Sequence, residues 1–217
     1  MLIQNYIAKD FPIYDLSILA KEALFDAQSF EFSHIFVQKN GVFQGAIGKE
    51  FLEENQEKTL SELLIYAERF AVLYSNTILD SIKLFHIFNA NVVPVINENE
   101  EYQGYIAWDS IVCELSKYPL FSEQGALLMV EVARKNYTMM EIAQIVEQNY
   151  GKLYGAFINE MNENFVRITM RISNENLTSI GETFERYGYT IIRKFYNDEK
   201  EELLKNRYQF MQKYLEY

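Results

Sequence analysis

Few residues in this 217-residue chain have types suited to chemistry. There are two histidines, His34 and His86, and one cysteine, Cys113. A metal centre needs several His, Cys, Asp or Glu side chains converging on one point. His34 falls in a strand-like run and His86 in a helix-like one, and no carboxylate pattern stands beside either. No metal site is expected, and both read as structural histidines, with His34 placed to face a cleft. Cys113 follows Val112 in a helix-like stretch and reads as a small buried hydrophobe. The acidic runs Asn97 to Glu101 and Asn159 to Glu163 lack the Asp-rich loop and closing Glu of a calcium hand, and read as solvated turns. Arg167 and Arg171 share one strand face, where they could meet an anion or form an exposed or subunit-facing polar row. Trp108 heads a helix and could stack on a planar ligand or anchor a core or dimer face. No phosphate-cradling glycine motif and no nucleophile–base pair appears, so no catalytic residue is assigned and an enzyme is not expected.

Composition narrows the classes further. Acidic residues number 31 against 20 basic ones, a formal net charge of -11. Without a basic stripe this disfavours nucleic acid and anionic lipid as partners. One cysteine allows no internal disulfide, which fits a reducing, cytoplasmic setting. Residues 1–10 carry no basic-then-apolar pattern of a signal peptide, and no run of about 18 apolar residues occurs. Hydrophobic residues make up 49% and aromatics 15%, enough for a packed core and an oligomer interface.

The elements that must position these residues come in duplicate. An aromatic-Gln-Gly step occurs as Phe43-Gln44-Gly45 and again as Tyr102-Gln103-Gly104. Each follows a polar turn, Asn40-Gly41 being a hairpin signal, and leads through aliphatics into a helix, Lys49 to Asn55 or Trp108 to Lys117. Upstream, Ser33 to Val37 aligns with Asn91 to Val95 as a strand. Before that, Ser17 and Thr77 are set to cap helices over the following residues. Leu19, Ala23 and Asp26, with Ile18 and Leu24, form the inner side of the first helix, and Ile78, Leu79, Ile82 and Phe85 that of the second. Phe11 to Tyr14 matches the strand Phe70 to Tyr74, and each unit reads β-α-β-β-α. Thr59 to Ala67 carries Leu60, Leu63, Leu64 and Ala67 at helical spacing, a connecting helix with Ser61 and Glu62 in its first turn.

Asn91-Val92-Val93-Pro94-Val95, a turn, then Gly104-Tyr105-Ile106 resembles the strand-turn-strand signature of CBS domains, which pair as tandem regulatory modules. In the first copy Phe36 stands where the family has proline. The resemblance implies a small ligand, such as an adenosine nucleotide or S-adenosylmethionine, in the cleft between the copies. It carries ligand-binding roles over to Ile13, His34, Phe36, Gly48, Pro94, Ala107, Asp109 and Ser110. Nucleotide-binding members follow the glycine with a hydroxyl and then an Asp that grips ribose. Gly48 and Phe51 stand at those positions in the first copy, Ala107 and Ser110 in the second. Asp109 is one residue early, about 100° round a helix.

The remainder reads as a different fold. Ala126 to Val132 is a strand. Thr138 and Glu141 form the pattern of a capping box for a helix with Met139, Ile142, Ala143 and Val146 inward and Gly151 at its end. Leu153 to Ile158 and Val166 to Ile172 are strands around a polar turn. A helix from Asn174 points Leu177, Ile180, Phe184 and Tyr187 inward and closes at Gly188, and Tyr189 to Phe195 is the last strand. The order β-α-β-β-α-β is ferredoxin-like. Behind paired CBS domains it resembles an ACT-type domain, and the whole resembles acetoin-utilisation-type CBS proteins. The turn Arg134 to Tyr137 lacks the glycine of ligand-binding members. Asp198 to Tyr217 patterns as a helix with Leu204, Tyr208, Met211 and Leu215 on one stripe.

The expectation is an α+β chain: two pseudo-symmetric CBS-like units, 1–58 and 70–121, joined by a connecting helix at 59–69, then an ACT-like domain at 122–196 and a C-terminal helix at 197–217. Its expected role is a non-catalytic sensor or regulator, homodimeric, with an unidentified protein partner. The alternative is a dimeric scaffold with degenerate, ligand-free CBS units.

Overall fold

The computed structural model describes residues 2–195; the helix expected at 197–217 lies outside them. The chain is α+β and divides in sequence, between Leu115 and Ser116, into two compact units.

The first unit contains β1 (Ile13–Asp15), α1 (Ala20–Ser29), β2 (His34–Lys39), β3 (Val42–Gly48), α2 (Lys49–Glu54), α3 (Leu60–Leu63), β4 (Val72–Leu73), α4 (Ile78–Ile87), β5 (Val92–Ile96), β6 (Tyr102–Ala107) and α5 (Trp108–Leu115). Its two three-stranded sheets repeat one plan. β1 lies parallel to β2, which runs antiparallel to β3; β4, β5 and β6 are arranged likewise. His34 to Val37 and Val92 to Val95 are buried throughout, as continuous apolar strands covered on both faces should be. Pro94 is tolerated in a central strand because the parallel pairing with β4 begins only at Val95.

The repeated aromatic-Gln-Gly step is a β-bulge. Val37 pairs with Gly45 and Gln38 with Phe43, leaving Gln44 as the extra residue; Val95, Ile96, Gly104 and Tyr102 leave Gln103 out in the same way. Each glutamine amide folds back onto a preceding carbonyl, Gln44 onto Val42 and Gln103 onto Glu101. Both glycines have positive φ, +154° and +128°.

Beside each bulge the halves exchange arms. The backbone of Ala8, ahead of the first copy, pairs both ways with Tyr105 of the second at 2.9 Å. Glu68, ahead of the second copy, pairs with Ala46 of the first at 2.8 and 2.9 Å. Further out, Ile3 donates its N–H to Asn76 and Leu60 to Ile18, burying Ile3, Leu60 and Leu63 in the opposite walls. These arms cover the outer edges of β3 and β6, which would otherwise present unpaired N–H and C=O groups.

Helix ends depart from the sequence reading in instructive ways. α1 begins at Ala20 with Leu19 as its cap, not at Ser17: the Ile18 N–H bonds the Asp15 carbonyl, forming a turn first. Its inner face is Ala20, Ala23, Leu24 and Ala27, while Asp26 takes the Tyr14 hydroxyl at 2.5 Å. Thr77 does cap α4, with Asp80 completing the box, and Thr59 and Glu62 do the same for α3. The strand expected over Phe70 to Tyr74 is confined to Val72 and Leu73.

The second unit contains α6 (Pro119–Ser122), β7 (Ala126–Ala133), α7 (Met139–Gln148), β8 (Leu153–Met161), β9 (Phe165–Ile172), α8 (Leu177–Arg186) and β10 (Thr190–Phe195). All pairings in its sheet are antiparallel, in the order β10-β7-β9-β8. Ile142, Ile145, Val146, Ile180 and Phe184 from the two longer helices join one core with the alternate residues of β7 and β9. Thr138 makes no side-chain cap, because the Glu141 carboxylate accepts the Tyr189 hydroxyl at 2.8 Å instead. Tyr187 lies at the exposed end of α8 rather than inward, and Gly188 takes the left-handed turn there. At the end of α7 that conformation falls on Tyr150, φ +62°, one residue before Gly151. The Gly151 N–H bonds Val146 and the Tyr150 N–H bonds Glu147, a Schellman end with a non-glycine residue at its strained position.

Two outcomes follow. A Cβ on residue 104 would lie 2.3 Å from the Ala8 carbonyl oxygen, and on residue 45 at 3.0 Å from that of Glu68. Urea titration should show Gly104→Ala losing about 3 kcal/mol or more and Gly45→Ala less, about 1–2 kcal/mol. Tyr150 is exposed, so Tyr150→Gly should gain about 0.5–1 kcal/mol by relieving the left-handed backbone.

Candidate functional site

The joint between the two copies is built from equivalent residues. Ser33 and Asn91 each precede a central strand. The Ser33 N–H donates to Asn91 Oδ1 at 2.8 Å, and the Asn91 N–H donates to Ser33 Oγ at 3.0 Å. Asn91 Nδ2 adds a bond to the Glu31 carbonyl at 2.8 Å. Glu31 and Asn89 hold the left-handed positions that end α1 and α4, φ +56° and +46°, and so turn the chain into this joint.

Beside it lies an open hollow of about 350 Å³, lined by Ser33, His34, Gly48 and Phe88 within and Glu31, Lys49, Glu50, Asn89 and Asn91 around them. His34 is 5% exposed and opposes Gly48 across the β2–β3 pair. Its Nδ1 is 2.8 Å from Ser33 Oγ and its Nε2 is 3.1 Å from Glu68 Oε2. Ser33 Oγ already accepts the Asn91 N–H, so its own proton is available to Nδ1. That leaves the imidazole hydrogen on Nε2, aimed at Glu68. His34 thus touches both connections between the copies, the Ser33–Asn91 exchange and the arm carrying Glu68. Burial holds its pKa below the ordinary histidine value, against the opposing pull of the Glu68 carboxylate.

The equivalent positions on the other side carry larger side chains. Ala46 and Ala90 of the open side correspond to Tyr105 and Phe32. These two rings lie 5.1 Å apart, and Phe11 packs edge-on against both and against Phe30. Phe30 is the counterpart of Phe88, which stacks on Phe70 at 4.3 Å and also faces the hollow.

Of the residues singled out in the sequence, the hollow gathers His34 and Gly48. Ile13 is half-buried on β1 opposite Phe36, and Phe36 packs among Phe11 and Tyr102. Pro94 is buried on β5, Ala107 ends β6 opposite Val92, and Asp109 and Ser110 lie exposed in the first turn of α5. Lining residues that the sequence reading passed over are Glu31, Ser33, Lys49, Glu50, Phe88, Asn89 and Asn91. The alignment of Ser33 with Asn91 was the available signal for the joint. Cys113, read as buried, is exposed on α5, because Ile111 is the residue of that helix that enters the core. Trp108 is 40% exposed and meets Phe85 edge-on at 5.3 Å. His86 is exposed in the last turn of α4. In the second unit Arg167 forks between Glu131 and Glu160, both at 2.7 Å, and Arg171 donates to the Leu120 and Gly125 carbonyls. Both guanidinium groups are therefore engaged within the unit. Among the described residues no helix is long and apolar enough to cross a membrane.

His34 sets a pH dependence. Its folded pKa is depressed, so below about pH 6.5 the unfolded chain binds a proton that the folded chain resists, and stability falls as pH drops through that window. Urea midpoints taken from about pH 7.5 to 5.5 should fall more steeply for the parent than for His34→Gln. Equal slopes would mean that His34 titrates alike in both states.

No family model matches the chain, and no curated protein matches it. Solved structures are similar to about half of it. A CBS domain pair/ACT domain protein from Thermotoga maritima is 20% identical, over 53% of this chain and 96% of that one, with a TM-score of 0.47. The CBS domains of a transcriptional regulator from Streptococcus pneumoniae are 14% identical over 52% and 97%, with a TM-score of 0.46. The cytosolic domain of the Mg2+ channel MgtE, in complex with ATP, is 14% identical over 50% of this chain and 46% of that one, with a TM-score of 0.44.

Proposed function

We propose that the chain is a non-catalytic regulatory protein that binds a small ligand, of the size of an adenosyl compound, in the hollow between its two CBS-like copies. One observation carries this reading: a hollow of about 350 Å³ opens beside the joint of the two copies, lined by the buried His34 and by Phe88, while at equivalent positions on the other side Phe32 and Tyr105 pack ring against ring. The open side is walled by a ring and a buried imidazole, as small-molecule pockets commonly are. Because His34 bonds both connections between the copies, a ligand against it would bias how the copies meet, and a partner would sense the population shift.

The second unit is ferredoxin-like and ACT-like in this reading, supported by its β-α-β-β-α-β order and antiparallel sheet. The protein is a homodimer, supported by exposed Leu79 and Ile87 on α4 and Val112 and Trp108 on the neighbouring α5, and works in a reducing cytoplasm. A ligand-free scaffold is the second reading; what favours it is Phe51 and Ser110 standing where nucleotide-binding CBS domains have ribose-gripping carboxylates.

Melting curves separate the two. A ligand at about a hundredfold its Kd should stabilise the parent by about 2.7 kcal/mol. A Cβ at residue 48 meets only His34 Nε2, at 3.8 Å, so Gly48→Leu fills the hollow at little cost to the backbone. The proposal expects a shift with an adenosyl compound that Gly48→Leu abolishes. No shift, or one that Gly48→Leu leaves intact, overturns it.

A further inference from the structure

We infer that the hollow takes an organic cation, of the ammonium or sulfonium class, in preference to a phosphorylated ligand. This rests on the reading of the hollow as a ligand site. Charge is distributed very unevenly along the chain. Residues 1–115 hold seven Lys and Arg against seventeen Asp and Glu, a net of -10 out of the total -11. The hollow therefore opens on a unit whose summed field attracts cations and repels polyanions. Its own lining repeats that sign, with Glu31 and Glu50 against Lys49. A third carboxylate, Glu68, stands behind the imidazole at 3.1 Å, and burial favours the neutral form of that ring, so His34 supplies little compensating charge.

Of the features that would hold a phosphate, the Lys49 ammonium is present, in a lining it shares with the carboxylates of Glu31 and Glu50. Gly48 offers no hydroxyl, and the Lys49 N–H at the head of α2 is already given to the Ser33 carbonyl at 2.7 Å. The Asn91 amide is spent on Glu31 and Ser33. Against the one Lys49 ammonium stand two lining carboxylates and the face of the Phe88 ring turned away from Phe70, whose π system attracts positive charge.

S-adenosylmethionine and S-adenosylhomocysteine isolate the point, since they differ by one methyl group and the positive charge it creates on sulfur. Calorimetric titration of the full chain with each, and with ATP, should give S-adenosylmethionine the tighter binding by about fivefold or more, with ATP weakest. The double variant Glu31→Gln/Glu50→Gln should bring S-adenosylmethionine towards the affinity of its neutral analogue and leave the latter unchanged. Equal affinities, or ATP binding tightest, in a manner that Gly48→Leu abolishes, would overturn the charge preference and leave the ligand site standing. Binding of none of the three would remove the ligand site and this inference together.

Discussion

Two backbone carbonyls, those of Ala8 and Glu68, occupy the space where side chains would begin on the residues opposite. The first unit depends on that approach. It is possible because Gly104 and Gly45 carry no Cβ and sit at positive φ beside a one-residue bulge. Without it the outer edges of β3 and β6 would be unpaired, and the arms burying Ile3, Leu60 and Leu63 would have no register. Each glycine thus acts twice. It bends its own strand, and it admits the arm that ties one copy to the other.

Once the arms are exchanged, the copies face each other through equivalent residues, and small differences in sequence decide what lies between them. Ser33 and Asn91 satisfy each other's backbone N–H groups and so fix the register of the two central strands. Symmetry stops there. At the equivalent positions 46/105 and 90/32 alanine stands on one side and a tyrosine or phenylalanine on the other, so the ring cluster of Phe11, Phe30, Phe32 and Tyr105 has, among the described residues, only the Phe70–Phe88 stack as its counterpart. His34 against Val92 completes the asymmetry and places the one buried titratable imidazole on the open side. The duplicated fold thereby carries a polar hollow beside one copy's histidine, in the more acidic of the two units.

Much of this was legible in the residues. The doubled aromatic-Gln-Gly step, the Asn40-Gly41 turn with both φ positive, and the buried runs at 34–37 and 92–95 were visible as pattern. What the pattern could not show is where local rules lose to tertiary partners. Thr59 and Thr138 both precede a Glu by three residues, yet only Thr59 forms a capping box, since Glu141 is claimed by Tyr189. Gly188 ends its helix as glycine should, but Glu31, Asn89 and Tyr150 take the same left-handed position without glycine, held by paired carbonyl bonds. The site was the least legible part. Of the positions carried over by family resemblance, His34 and Gly48 line the hollow, while Phe36 packs into the ring cluster and Asp109 and Ser110 lie exposed on α5. The arms escaped notice because Leu2 to Ala8 shares little sequence with Thr59 to Glu68, and their equivalence lies in backbone pairing alone.

The exchange of arms is tested most directly by amide hydrogen exchange at Ala8, Tyr105, Ala46 and Glu68. Paired as described, all four should open only with the unit as a whole, at the same free energy as Ile35 and Val93 in the central strands. Exchange at Ala8 and Glu68 as fast as in an open loop, with Ile35 and Val93 still protected, would show that the copies are not joined in this way.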